Sequence, residues 1–172
     1  MKVSLSDVVE HPRIKAYIKQ ADANLATMGF TEHGFRHIGL VSSIAHNILE
    51  RLGYDERLAE LAAIAGYVHD IGNCIGRVHH GMAAAFLVEP ILRELGMDPK
   101  EIALILSAVG NHEEEVGEPV NEVAAALILA DKSDVHRTRV RNTDVPTFDI
   151  HDRVNYAVIK SFLDVDEGER RI

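Results

Sequence analysis

Six successive stretches of this chain place apolar residues three and four positions apart, the spacing that lines one face of an α-helix. The first opens at Pro12 and carries Ile14, Ile18, Ala21, Leu25 and Met28 before Gly29 closes it. Thr31 is the expected N-cap of the second, which carries Phe35, Ile38, Val41, Ala45, Ile48 and Leu52 and stops at Gly53. Asp55 caps a third with Leu58, Leu61, Ala62, Ala65 and Val68, running into His69-Asp70 and ended by Gly72. A fourth starts near His80 and passes Phe86, Leu87, Ile91 and Leu95 to Gly96, with Pro90 expected to bend it. The fifth opens on Asp98-Pro99-Lys100-Glu101 and carries Ile102, Ile105, Val109 and His112. The sixth follows Asn121 with Val123, Leu127, Ala130, Asp131 and Asp134.

The expectation is an all-α bundle over residues 1–141, followed by a different kind of segment over 142–172. Residues 142–152 have the character of a loop, and Val154 to Leu163 is rich in β-branched and aromatic residues. Asp164 to Glu169 suits a turn before Arg170-Arg171-Ile172. That pattern predicts a short C-terminal β-like hairpin or extension, cut short or paired with another part of the protein.

Composition narrows the function. The net charge of -9 argues against a broad grip on the nucleic-acid duplex, which needs clustered Lys and Arg. One cysteine, Cys74, excludes an internal disulfide and suits a reducing, cytoplasmic compartment. Apolar runs such as Val123 to Ala130 fall far short of the ~20 residues of a membrane-spanning helix, and no signal pattern opens the chain. No membrane partner is therefore expected; a homodimer is compatible with all of this. Histidine is the unusual component, with 10 residues.

Four of those histidines and two aspartates sit on or at the ends of the helical stripes: His37, His69, Asp70, His80, His112 and Asp131. His112 continues the stripe of Ile102, Ile105 and Val109. Asp131 follows the run Ala124 to Ala130, where a carboxylate is costly to bury without a counter-charge. Any one such histidine is more often a hydrogen-bonded core or surface residue than a ligand, but the ordered set is harder to explain that way. Imidazoles and carboxylates without thiolates suit Zn, Mn, Fe, Co or Ni. A structural metal would more often be held by cysteines.

The order H…HD…H…H…D resembles the HD-domain superfamily of metal-dependent phosphohydrolases. Local text supports it: His-Asp-Ile-Gly at 69–72, Gly-Met-Ala-Ala-Ala-Phe-Leu after His80, and Leu-Ala-Asp-Lys at 129–132. The resemblance covers about residues 30–141. It implies an HD-domain helical bundle in which His37, His69 and Asp131 hold a first divalent transition metal and Asp70 bridges to a second. His80 and His112 match the positions that bind the second ion in the dinuclear branch. It further implies cleavage of a phosphate ester of a small molecule, a nucleotide or related metabolite, by a metal-activated bridging hydroxide held by Asp70.

Residues 111–119 look like a degraded form of the HD-GYP branch's signature, with Asn111 in place of its first His and no Tyr before Pro119. That departure counts against cyclic-dinucleotide cleavage. Alternatives to hydrolysis are an HD-type di-iron oxygenase and a non-catalytic metal- or ligand-sensing module.

The phosphate of the substrate is expected near the concentrated positive charge of residues 132–141. Lys132, beside Asp131, is the expected catalytic phosphate contact, with His136 and Arg139 on its helical face and Arg137 on a neighbouring one. A solvated helix end explains such charges equally well. His33, four residues before His37, is an extra ligand, a substrate contact or an exposed first-turn histidine. His79 is an alternative to His80 as a ligand. His11, His46 and His151 are expected to stand apart. Glu113 to Glu115 form an acidic turn from which one residue could serve as an acid, and Cys74 is expected to line the cavity without acting as a nucleophile.

Overall fold

The computed structural model describes residues 2–113, 116–169 and 171–172; Met1, Glu114, Glu115 and Arg170 lie outside the described residues. Among these it contains eight α-helices and no strand: α1 (Leu5–Glu10), α2 (Pro12–Thr27), α3 (Phe35–Arg51), α4 (Glu56–Val68), α5 (His80–Glu94), α6 (Pro99–Gly110), α7 (Glu122–Ser133) and α8 (Ile150–Ala157). The protein is an all-α bundle. Its six long helices, α2 to α7, are the six amphipathic stretches of the sequence. Among the described residues no helix is long and apolar enough to cross a membrane.

Caps set most of the boundaries. The carboxylates of Asp55 and Asp98 accept from the amides of Leu58 and Lys100, and the Asn121 side-chain oxygen accepts from that of Ala124. Pro12 and Pro99 occupy first-turn positions that need no amide donor. Gly29, Gly53 and Gly96 follow helix ends with positive φ. The short α1 is opened by a capping box between Ser4 and Asp7.

One start differs from expectation. Thr31 is buried rather than capping, and α3 begins only at Phe35, with Gly34 as N-cap. Glu32 accounts for the shift. Its amide donates to the Arg139 carbonyl (2.8 Å), and its carboxylate accepts from the Gly34 amide and the Arg36 guanidinium.

Helix α4 forms the centre, packed against α3, α6 and α7, and every residue from Leu61 to Val68 is buried. Ile38, Ile64, Ile105 and Leu127 meet there without exposure, each contributing about 1.5–3 kcal/mol of apolar transfer. After α4 the chain makes a 3-10 turn, Ile71–Cys74, which packs against α2 and α5. The side-chain amide of Asn24 in α2 donates to the carbonyls of Asn73 and Cys74. Gly72 presses against the His80 carbonyl, and a Cβ there would also sit 2.6 Å from the Ala84 amide nitrogen. Only glycine lets the His-Asp turn dock this closely on the first turn of α5.

The expected C-terminal strand is instead α8 followed by an extended segment. Asp149 accepts from the Asp152 amide and starts the helix, overriding the β propensity of the residues that follow. The pairing of the expected hairpin is reduced to one isolated antiparallel bridge, Asp166 to Arg171. Beyond α8 the chain runs back over the helices: the Arg137 amide donates to the Val158 carbonyl, Ser161 Oγ donates to the Ser133 carbonyl, and Val165 joins the core.

Candidate metal centre

The end of α4, the starts of α3 and α5, and the ends of α6 and α7 converge at one end of the bundle. They bring together all six residues of the histidine–aspartate series. His37, His69, Asp70, His80 and His112 are buried, and Asp131 joins them from α7. One ligand atom each of His37, His69 and Asp70 forms a compact group; Asp70, His80 and His112 form another. Asp70 is common to both.

Hydrogen bonds fix how the four rings face. Nδ1 of His69, His80 and His112 lies 2.7–2.9 Å from the carbonyl oxygens of Gly66, Arg77 and Val109, each three residues upstream. His37 Nδ1 lies 2.7 Å from an Asp134 carboxylate oxygen. A carbonyl or ionised carboxylate can only accept, so each Nδ1 carries the proton. In the neutral rings every Nε2 then presents a bare lone pair.

For His37 and His69 those lone pairs have no hydrogen-bond partner. Nε2 of His37 and of His69, and Oδ2 of Asp70, are fully buried without a hydrogen bond. His37 Nε2 stands 3.3 Å from Asp131 Oδ1 and 3.6 Å from Asp70 Oδ2; His69 Nε2 stands 3.4 Å from Asp70 Oδ2 and 3.7 Å from Asp131 Oδ1. Donor atoms about 2.1 Å from a shared tetrahedral ion are about 3.4 Å apart. In the second group, His80 Nε2 is 3.3 Å from Asp70 Oδ1 and 3.1 Å from His112 Nε2. Two bare lone pairs at that distance repel unless a cation or proton lies between them. The donor set therefore fits divalent metal on both sides of Asp70.

The protonation pattern of these side chains shows the same demand for positive charge. Burial disfavours a charged His69, but Asp70 and Asp131 outweigh it and push the imidazole up to about 10. Burial also works against the charged Asp70 and Asp131 carboxyls, yet the neighbouring imidazoles hold both well below the usual carboxylate range. Burial lowers His112 to about 3, reinforced by the charges of His69 and His80.

The centre opens into a cavity of about 540 Å³. Lys132 lines it, with Nζ 3.3 Å from Asp131 Oδ2. His33 also lines it, although it precedes α3 instead of occupying its first turn. The His33 ring lies 5.3 Å from that of His37, Nδ1 donates to the Thr31 carbonyl, and burial lowers it to about 4.

The basic run is less united than its helical spacing suggests. Because α7 ends at Ser133, His136, Arg137 and Arg139 do not share a helical face with Lys132. His136 does not line the cavity: Nε2 meets the Ile159 carbonyl and Nδ1 meets Thr138. Arg137 turns to the carbonyl and ring of Tyr156, also away from the cavity. Arg139 is buried at the cavity wall, donating to the carbonyls of Glu32 and Asp134.

Several other expectations change. His79 and His151 line the cavity, the latter from α8, whereas Cys74 does not. Burial pushes the Cys74 thiol up, away from reactivity. Glu113 is engaged by the Gly81 amide (2.8 Å) and lies 3.2 Å from His80 Nδ1, while the expectation for Glu114 and Glu115 falls outside the described residues.

Sequence reasoning missed two supports. Asp134 takes the His37 Nδ1 proton bond and two bonds from the Arg36 guanidinium, and Arg139 approaches it at 3.6 Å. Burial opposes its charge, but His37 and these arginines hold its carboxyl well below the usual range. Its spacing of three from Asp131 was the available signal. Asn73, which donates to Asp70 Oδ1 (2.9 Å), carried none beyond its closeness to the His-Asp pair.

Comparison with known proteins agrees with this arrangement. The chain is 24% identical over 196 aligned residues to an uncharacterized protein of Methanocaldococcus jannaschii, covering 99% of this chain and 73% of the relative. No solved structure gives a significant match. The HD domain family profile matches residues 34–136, more than half of the chain and the stretch that holds all six residues of the centre. HD domains bind divalent metals and are typically metal-dependent hydrolases, and this chain belongs to the HD-domain family.

Proposed function

We propose that this protein is a metal-dependent phosphohydrolase that cleaves a phosphate ester of a small molecule, a nucleotide or related metabolite. The observation that carries the reading is the convergence of four Nε2 lone pairs on Asp70, each imidazole oriented through its Nδ1. His37, His69 and Asp131 would hold one ion and His80 and His112 the other, with Asp70 common to both groups. Two divalent ions there, of Fe, Mn, Ni, Co or Zn, would acidify water and offset phosphoryl charge.

The remaining residues serve the substrate. Asp134 and Asn73 keep His37 and Asp70 oriented, so the centre need not reorganise when substrate arrives. Lys132 adds positive charge at the cavity wall beside Asp131. The cavity, about 540 Å³, is within the common range of about 300–1,000 Å³ for small-molecule sites. Val78, Val116, Ile150 and Val154 line it as well, an apolar surface for the part of the ester that carries no charge.

The test is elemental analysis of the purified protein, followed by a phosphatase and nucleotidase panel with the metal found. Phosphate release that stops with chelator and returns with metal is expected. Oxygen consumption by the iron-loaded protein without phosphate release from any ester overturns the reading.

A further inference from the structure

The cavity is lined by three Lys or Arg side chains among the described residues: Arg77, Lys132 and Arg139. Two are committed to backbone carbonyls or a carboxylate. Arg139 donates from Nε and Nη1 to carbonyl groups, and Lys132 stands against the Asp131 carboxylate. Arg77 differs. Among the described residues no carboxylate comes within ion-pair distance of it, and its guanidinium lies over the Phe30 ring, 5.4 Å from the centroid. Its Nη1 is 3.4 Å from His80 Nε2 and 3.5 Å from Asn73 Oδ1.

An arginine beside a donor atom of the metal centre, with no acid among the described residues to neutralise it, is poised for an anion. His80 Nε2, next to Nη1, is also 3.3 Å from Asp70 Oδ1 and 3.1 Å from His112 Nε2. A small oxyanion that reaches the Asp70–His80–His112 group therefore reaches Arg77 as well. Phe30 supports the face of the guanidinium, and the segment that carries it is fixed by Asn24 and by the close seat of Gly72. A planar fork held this way favours two parallel bonds to tetrahedral oxygens.

We infer that Arg77, rather than the basic run after Asp131, is the principal grip on the phosphoryl group, on the His80–His112 side of the centre. The inference rests on the hydrolase reading for its substrate class, but a binding measurement tests it separately.

The full chain, loaded with the metal it is purified with, is titrated calorimetrically with inorganic phosphate as wild type, Arg77→Ala and Arg77→Lys. Arg77→Ala is expected to weaken phosphate about 10- to 100-fold, with Arg77→Lys between it and wild type and metal content unchanged. If Arg77→Ala does not fold, Arg77→Gln carries the same expectation. Phosphate binding by the neutral variant equal to wild type, or none by wild type, overturns the inference. Wild type that binds phosphate in an Arg77-dependent way but hydrolyses no ester upholds it while the hydrolase reading falls. Hydrolysis with the same KM in wild type and variant does the reverse.

Discussion

The two halves of the centre share Asp70 but are built differently. On one side, His37 and His69 face two carboxylates, and a third, Asp134, stands behind His37 with Arg36 bound to it. On the other, among the described residues the Nε2 atoms of His80 and His112 face one carboxylate, Asp70; their Nδ1 atoms rest on carbonyls, with Glu113 3.2 Å from that of His80, and the neighbouring cation is Arg77. The second carboxylate at the ring nitrogens, Asp131, means tighter cation binding in the first half. The first half is therefore expected to retain its ion, and the second, facing the cavity and Arg77, to exchange its own more readily.

The largest effect that tests this contrast comes from the shared residue. Asp70→Ala removes the only carboxylate common to both groups, so both ions should be lost, with activity falling about 1,000-fold or more. His112→Ala touches only the second half and should leave about one ion per chain. Metal analysis of the two variants after dialysis reads the difference. Equal metal content in both would collapse the distinction between the halves.

A smaller effect is expected behind His37. Asp134→Asn keeps the shape but removes the charge that accepts from His37 Nδ1 and pairs with Arg36. Losses of about 10- to 100-fold in metal affinity are usual for such supports. Competition with a chelator should show the loss in the first half only. A variant that lost the second ion first would reverse the assignment.

The halves also titrate in opposite senses in the metal-free protein. His112, lowered from 6.5 to about 3, resists a proton that the unfolded chain accepts. Its contribution to stability is present above pH 6.5 and is lost as the pH falls toward 3. His69, raised from 6.5 to about 10, contributes fully below pH 6.5 and loses that contribution as the pH rises through 10. Thermal midpoints across pH should show His112→Gln flattening the acid limb and His69→Gln the alkaline one. The same limb flattened by both would mean that the two rings titrate as one unit.

Most of the histidine–aspartate cluster was legible because its members prolong helical stripes. His112 continues Ile105 and Val109, and Asp131 follows an apolar run, so periodicity alone turns both inward. The supports were harder to read because they depend on contacts between distant segments. Asp134 meets Arg36 across 98 residues of sequence, and Arg77 acquires its place only when the His-Asp turn docks on α5. The basic run misled for a local reason: α7 ends at Ser133, and an i+4 relation carries no shared face once the helix has stopped. Residues 150–157 defeated propensity in the same way, since one capping aspartate and packing against residues 137–139 outweigh a β-branched composition.

The smallest predicted effect lies outside both halves and sets the floor for the others. His136 spends Nε2 on the Ile159 carbonyl and its amide on Asn155 Oδ1, joining the end of α7 to the segment around α8. His136→Ala removes the side-chain bonds but no donor of the metal centre. It should cost about 1 kcal/mol of stability, while metal content and KM stay as in wild type. Denaturant unfolding of the metal-loaded protein measures the first, and elemental analysis with steady-state kinetics the others. A raised KM at unchanged metal content would restore His136 to the substrate site and show that α8 transmits its position to the cavity it lines.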